Sequence, residues 1–231
     1  MSAKPFTAFS EELFTFLDEL QANNHRDWFE ANKDRYEAHV REPARAFIRA
    51  MAPRITRVTD SLIADDRKAG GSLMRIFRDT RFANDKTPYK TNVGIQFRHR
   101  GGKDVHAPGL YVHLATDEIF VGVGVWRPPT EAIRAIRAHI DAEQDRWTEI
   151  VTDSRFTDLL TRGGESLSRA PKGYAKDHPL LAEINRKDHL AMRTLTRADA
   201  LSDDLPDQVE DVLMASHDYA KFICDAIGVS F

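Results

Sequence analysis

The sequence contains a single cysteine, Cys224, among 231 residues. One cysteine cannot form an internal disulfide and leaves no second thiolate for a metal site, which is typical of proteins from a reducing compartment. The sequence also lacks a run of about 18 apolar residues, and its N-terminus has no apolar signal-peptide core. We therefore expect a cytoplasmic protein without a membrane anchor.

Familiar catalytic signatures are missing as well. The sequence has no P-loop and no His-Glu-x-x-His, Gly-x-Ser-x-Gly or Cys-x-x-Cys pattern, and the glycines Gly122 and Gly124 fall far short of a dinucleotide fingerprint. His99, His106 and His113 recur every seven residues, which is neither a strand period nor a metal-ligand spacing. The sequence therefore predicts no metal and no cofactor, and it assigns no catalytic residue.

The composition is otherwise that of an ordinary globular protein, with 42% hydrophobic and 30% charged residues. A chain of this length can bury roughly 70–75% of its unfolded surface, so it needs no disulfide or metal to fold. The formal net charge of -3 and the sequence pI near 6.3 argue against an extended nucleic-acid groove, although a single basic patch could still contact phosphates.

The spacing of apolar residues divides the chain into three parts. Residues 8–58 and 129–228 show the three- and four-residue spacing of helices, whereas residues 73–126 show mainly the two-residue period of strands. No internal repeat or linker interrupts the chain. We predict one α+β domain over residues 1–231, with a central antiparallel sheet flanked by N-terminal and C-terminal helices.

The middle part predicts three successive antiparallel strands over residues 91–126, with residues 73–82 adding a strand or strand-like segment. A turn at Thr116 and Asp117 would pair Val112 with Val121 and place aliphatic side chains on one face. The other face would carry Tyr111, His113, Phe120, Gly122 and Gly124. Because glycines supply no side chain to pack, another group must come close to them, and we expect a helix rather than a ligand.

Residues 75–92, with the sequence RIFRDTRFANDKTPYKTN, concentrate positive charge. Five cations stand against Asp79 and Asp85, which leaves a local excess of three positive charges in an acidic chain. Several guanidinium and ammonium groups could converge on a phosphate or carboxylate, with Tyr89 contacting the rest of the ligand. The alternatives are an internal ion-pair network, in which Asp79 neutralises Arg75 or Arg81, and a solvated turn.

A second polar stretch, PKGYAKDHP, lies in a long loop of the C-terminal part. Lys172, Tyr174, Asp177 and His178 could act as general acid or base if this loop closes over the sheet, but its glycine and prolines equally suit a structural loop. The predicted ligand-binding residues are Arg75, Arg78, Arg81, Lys86, Tyr89, Lys90, His113 and Lys172.

Several motifs carry a resemblance to known proteins. They are FLDELQANNHRDWFEANKDRYEAHVREP near the N-terminus, RDTRF with DKTPYKTN, GLYVHLATDEIFVGVGVWRP, and RAPKGYAKDHP. Together they span nearly the whole chain, and it resembles a widespread family of conserved hypothetical proteins whose domain has no assigned function. The resemblance implies a shared fold and brings no reaction with it.

Three kinds of function remain open. The leading hypothesis is a domain that captures a small phosphate- or carboxylate-bearing ligand at the cationic cluster. The alternative is a module that docks an acidic protein surface, which needs an exposed aromatic and cationic surface rather than a concave pocket. A weak nucleic-acid binder is the third, and a steep loss of affinity with salt would identify it.

Overall fold

The computed structural model describes residues 5–81, 84–101 and 107–231. Phe82, the end of one predicted strand, and His106 lie outside the described residues. The helices within the described ranges are α1 (Glu11–Ala22), α2 (Arg26–Ala31), α3 (Lys33–Tyr36), a π-helical turn (Glu37–Arg41), α4 (Glu42–Val58), α5 (Thr130–Ala142), α6 (Gln144–Thr152), α7 (Ser154–Thr157), α8 (Leu181–Ile184), α9 (Arg197–Ala200), α10 (Leu205–Ala215) and α11 (His217–Ala226).

The strands of the described residues form one antiparallel sheet in the order β1-β2-β3-β4-β6-β5. The strands are β1 (Leu62–Ile63), β2 (Asn92–His99), β3 (Gly109–Ala115), β4 (Ile119–Val125), β5 (Thr161–Gly163) and β6 (His189–Thr194). Strands β2, β3 and β4 follow one another along the chain and pair antiparallel, and Val112 stands opposite Val121. The α+β class and the three-stranded core of the sheet are therefore confirmed.

One face of this sheet is packed against helices. Ile95, Val112 and Val121 lie side by side across β2, β3 and β4, and each is fully buried. Helix α4 contacts β1 and β2, while α10 and α11 contact β4. We call this side, which carries Ile95, Val112 and Val121, the helix-covered face. Its aliphatic side chains remove apolar surface from water, which is the main force that holds the sheet and helices together.

The opposite side carries Tyr111, His113, Phe120 and Met192, and we call it the open face. All four side chains remain partly exposed to solvent. The atoms nearest to a Cβ atom built at Gly122 or Gly124 belong to β6 and not to a helix. The expectation that a helix fills the space above Gly122 and Gly124 is therefore wrong.

The neighbouring strand β6 explains the glycine at position 124 but does not require one at position 122. Gly124 has a φ of 139°, and a Cβ atom there would lie only 2.0 Å from the carbonyl oxygen of His189 on β6. Only glycine fits that backbone and that approach. A Cβ atom at Gly122 would meet Cγ of Met192 at 3.4 Å, which is an ordinary contact.

The structure differs from the sequence-based prediction at two further places. Residues 73–81 do not form a regular strand and make only isolated bridges, Leu73 with Ile95 and Phe77 with Tyr89. Strands β5 and β6 lie in the part expected to be mainly helical. The inward positions of β6 include His189, so the alternation of polar and apolar residues that marks a half-buried strand is absent there.

Candidate functional site

The cationic segment, residues 75–92, folds back on itself along the edge of β2. The backbone N–H of Arg78 donates to the carbonyl of Pro88 at 2.9 Å, and that of Lys90 donates to the carbonyl of Ile76 at 2.8 Å. Met74 just before it bonds to Gly94 of β2. These backbone hydrogen bonds bring the two ends of the segment side by side.

Two of the predicted arginines are paired with acids inside the segment. Arg81 donates two hydrogen bonds to Asp79, at 2.9 and 2.6 Å. Arg78 donates to Asp85. These arginines lower the pKa of both carboxyl groups to about 2. Among the described residues, this part of the cluster therefore corresponds to the ion-pair network left open by the sequence, although the pairs lie at the surface rather than in the core.

Tyr89 belongs to the core. Its ring stacks on Phe29 with ring centroids 4.2 Å apart, and it is only 3% exposed. Both backbone groups of Tyr89 bond to the side-chain amide of Asn24, which joins the segment to the start of α2. Tyr89 thus anchors the segment to the N-terminal helices. Lys86 is exposed and donates to the carbonyl oxygen of Thr80 at 2.9 Å.

Lys90 and Arg75 differ from the other cations of the segment. Lys90 is partly buried, and burial together with the charge of nearby Arg75 lowers its pKa. Neither side chain forms an ion pair or a hydrogen bond with a residue that the structure describes. The charge of Arg75 is the smallest of the effects that lower the pKa of Asp79. These two neighbouring cations therefore have no ion-pair partner in the described chain.

The open face begins two residues after Lys90, at Asn92. The hydroxyl of Tyr111 lies 3.1 Å from Nδ1 of His113, and the His113 ring stacks on Phe120 with centroids 4.8 Å apart. Burial raises the pKa of Tyr111, an effect opposed by its hydrogen bond with Asn92, and lowers the pKa of His113. These groups offer a neutral imidazole, a hydroxyl and an amide on one partly exposed surface.

Lys172 is not brought to this surface. It is exposed in the loop that follows β5, at the sheet edge opposite the one that residues 72–74 extend. His178 in the same loop contacts Asp141 of α5, with Nε2 and Oδ1 2.9 Å apart. The loop therefore lies against α5, and Tyr174 and His178 are held there rather than over the open face.

The comparisons with known proteins identify a family but no function. The model of a family described as conserved hypothetical protein, DUF2461, matches residues 12–222. The chain belongs to this family. No curated protein and no solved structure matches it. The DUF2461 match agrees with the resemblance read from the sequence motifs, and it assigns no ligand, reaction or partner.

Metal-ligand clusters and membrane-spanning helices were both sought in this DUF2461 chain. Within the described residues, His, Cys, Asp and Glu side chains form no group of three or more that could hold a metal ion. In the same part of the chain, no helix combines the length and hydrophobicity needed to span a membrane.

Several buried polar groups were not among the residues predicted from the sequence. Both ring nitrogens of His189, the hydroxyl of Tyr219 and Nε of Arg137 are buried without a hydrogen-bond partner among the described residues. Burial lowers the pKa of His189 to about 3. One signal was available for Arg137: it follows Ile133 by four positions and Ile136 by one, which places a charge on the inward stripe of α5.

Proposed function

We propose that the chain binds a small phosphate- or carboxylate-bearing ligand on the open face of the sheet, beside Lys90. The observation that carries this proposal is the pair Lys90 and Arg75. Two adjacent cations, one of them partly buried, repel each other, and neither forms an ion pair in the described chain. Asp79, whose pKa Arg75 lowers, is paired with Arg81. A ligand anion would supply the missing charge and would stabilise the protonated form of Lys90.

The neighbouring polar groups support the same ligand class. Tyr111 and Asn92 can donate hydrogen bonds to oxygen atoms of a ligand, and the stacked rings of His113 and Phe120 offer a flat surface for its remainder. Gly94 leaves room for the Tyr111 hydroxyl, because a Cβ atom at position 94 would lie 2.7 Å from it. The proposal concerns binding and assigns no reaction.

The test compares two lysines of the same segment. Thermal shift and calorimetric titration with inorganic phosphate, sulfate and citrate are measured for the parent, Lys90→Met and the matched control Lys86→Met. Lys86 is exposed and bonds only to a backbone carbonyl among the described residues. We expect Lys90→Met to lose binding of at least one of these anions, whereas Lys86→Met should bind every anion that the parent binds. Equal binding by all three proteins would contradict the proposal.

One observation favours docking of an acidic protein surface as a second candidate function. Phe77 is 51% exposed, and its ring centroid lies 5.5 Å from that of Tyr89 in the cationic segment. An exposed aromatic ring among cations is the surface that such a partner would use. Fluorescence anisotropy with a labelled poly-glutamate peptide tests it, and Phe77→Ser should weaken that binding. Binding of an oligonucleotide instead, with a steep salt dependence, would point to the third hypothesis.

A further inference from the structure

A second cationic site lies at the start of α5, beyond the far end of β4. A cavity of about 280 Å³ opens there, between the β4–α5 connection and the residues just before β6. Its polar lining residues are Arg127, Thr130, Arg137, Glu165, Lys187 and Asp188. We call it the Arg137 cavity. It lies away from the open-face site, which is near the β3–β4 hairpin.

Helix α5 presents its first turns to the cavity. Thr130, Ile133 and Arg137 all line it, and their spacing of three and four residues places them on one side of the helix. The residue before the helix is Pro129, which provides no side-chain cap for the first N–H groups. Uncapped amides at a helix N-terminus favour an anion.

Arg137 provides independent evidence for a ligand. It is 9% exposed, and its Nη2 donates to the carbonyl oxygen of Arg186 at 3.1 Å, while its Nε is buried without a partner. Arg137 forms no ion pair with an acid of the described chain. Burial lowers its pKa, which means that the surroundings disfavour its charge. Buried arginines are normally paired with an acid, so a bound anion would supply the partner that Arg137 lacks in the described chain.

The acids that line the cavity are already engaged. One carboxylate oxygen of Asp188 accepts from the backbone N–H of Arg127 at 2.6 Å, and the other accepts from that of Glu165 at 2.9 Å. Glu165 also pairs with Lys187 at 3.1 Å. The guanidinium of Arg127 lies over the ring of Trp126, 4.7 Å from its centroid. Three cations and two acids line the cavity, which leaves one positive charge in excess.

We propose that the Arg137 cavity binds a phosphate-sized oxyanion, either free or as the phosphate group of a small metabolite. Arg137 and the first amides of α5 bind its oxygens, and Arg127 contributes further positive charge. The volume is just below the range of roughly 300–1,000 Å³ that is typical of sites for drug-sized ligands, and so suits an oxyanion with a few further atoms.

The test uses two arginines of the same helix. Calorimetric titrations with inorganic phosphate and with glycerol 3-phosphate, and with glycerol as the uncharged control, are made on the parent, Arg137→Gln and Arg134→Gln. Arg134 is exposed and does not line the cavity. We expect Arg137→Gln to weaken one phosphate site at least about ten-fold, because a charge-assisted contact is lost, and Arg134→Gln to leave it unchanged.

A second variant keeps the proposal open to refutation if Arg137→Gln does not fold. Arg127 has a φ of 49°, a conformation that favours glycine, so Arg127→Gly should fold and should weaken the same phosphate site. Parent-like phosphate affinity in Arg127→Gly, or in a folded Arg137→Gln, would overturn the proposal. Arg137 would then serve only to hold the backbone at Arg186 through its hydrogen bond.

The open-face site is told apart by Lys90→Met. We expect this variant to retain the phosphate site that depends on Arg137. If Lys90→Met instead abolishes all phosphate binding, the inference fails while the proposed function stands. A parent protein that binds no phosphate overturns the inference, and carboxylate ligands then test the open face alone.

Discussion

On the helix-covered face of the sheet, Ile95, Val112 and Val121 are fully buried, whereas on the open face Tyr111 and His113 remain partly exposed. The same strands build both faces, since successive side chains point to opposite sides. What separates the faces is the covering layer of helices. Side chains on one face are fixed by packing, while polar groups on the other remain available to a ligand.

The largest difference between the faces should appear when a carboxylate is introduced. Val112→Asp places it between Ile95 and Val121, where no cation stands opposite, and we expect a loss of several kcal/mol in the free energy of unfolding. His113→Asp, on the next residue, should cost about 1–2 kcal/mol, because water reaches the open face. Urea unfolding measures both, and equal losses would mean that the two faces do not differ.

Two glycines sharpen the description of the open face. Gly124→Ala should cost about 2–3 kcal/mol, because its φ of 139° and the nearby carbonyl of His189 both exclude a Cβ atom. Gly122→Ala should cost less than about 1 kcal/mol, since the nearest atoms of the described residues, on Met192 and Ala191, lie at ordinary contact distances. The same unfolding experiment tests this, and a large loss for Gly122→Ala would indicate a covering group over the open face.

A histidine on each face predicts a difference in pH dependence. His189 on the helix-covered face has its pKa lowered to about 3, well below the unfolded value of about 6.5. The unfolded chain therefore takes up the proton first as the pH falls. The contribution of the buried, neutral His189 to the free energy of unfolding is fully present above pH about 6.5. Below that pH, it decreases by up to about 1.4 kcal/mol per pH unit.

His189→Gln should remove this slope between pH 7 and pH 5. His113 has a lowered pKa from partial burial as well, so its effect has the same sign, but the open face should give a shallower slope. Unfolding free energies at the two pH values for both glutamine variants measure the difference. An unchanged slope in His189→Gln would show that its imidazole is not buried in the neutral form.

The smallest effect is expected for Arg81→Met. Arg81 and Asp79 are exposed, and exposed ion pairs contribute little to stability. The melting temperature should match that of the parent, and phosphate binding should be retained. A clear loss of stability would mean that the paired arginines of the cationic segment support the fold more than their exposure indicates.

Much of the fold followed from periodicity. Val112 opposite Val121, the turn at Thr116 and Asp117, and the inward stripe of α5 are all local patterns that packing preserves. Strand β6 did not follow, because His189 and Arg193 occupy positions on its inward side and hide the alternation. Its pairing with β4 is a long-range contact that no local pattern of residues 189–194 reveals.

The candidate site could be predicted only in part. The local excess of charge marked residues 75–92, but it could not tell Lys90 from Arg81, since that difference depends on which acids the turn brings close. Arg137 was missed because its lack of an ion pair depends on the fold, in which the backbone amides of Arg127 and Glu165 engage the nearby Asp188. Charge counts along a sequence do not reveal which charges are neutralised in space.

The most direct test of the central claim is a phosphate titration followed by amide chemical shifts in ¹⁵N-labelled protein. We expect shifts at Asn92, Gly94 and His113 on the open face that disappear in Lys90→Met, and shifts at the start of α5 that persist in that variant. Val112 and Val121, which point to the helix-covered face, should move less. If no open-face amide shifts with phosphate or with citrate, the open face is not the ligand site.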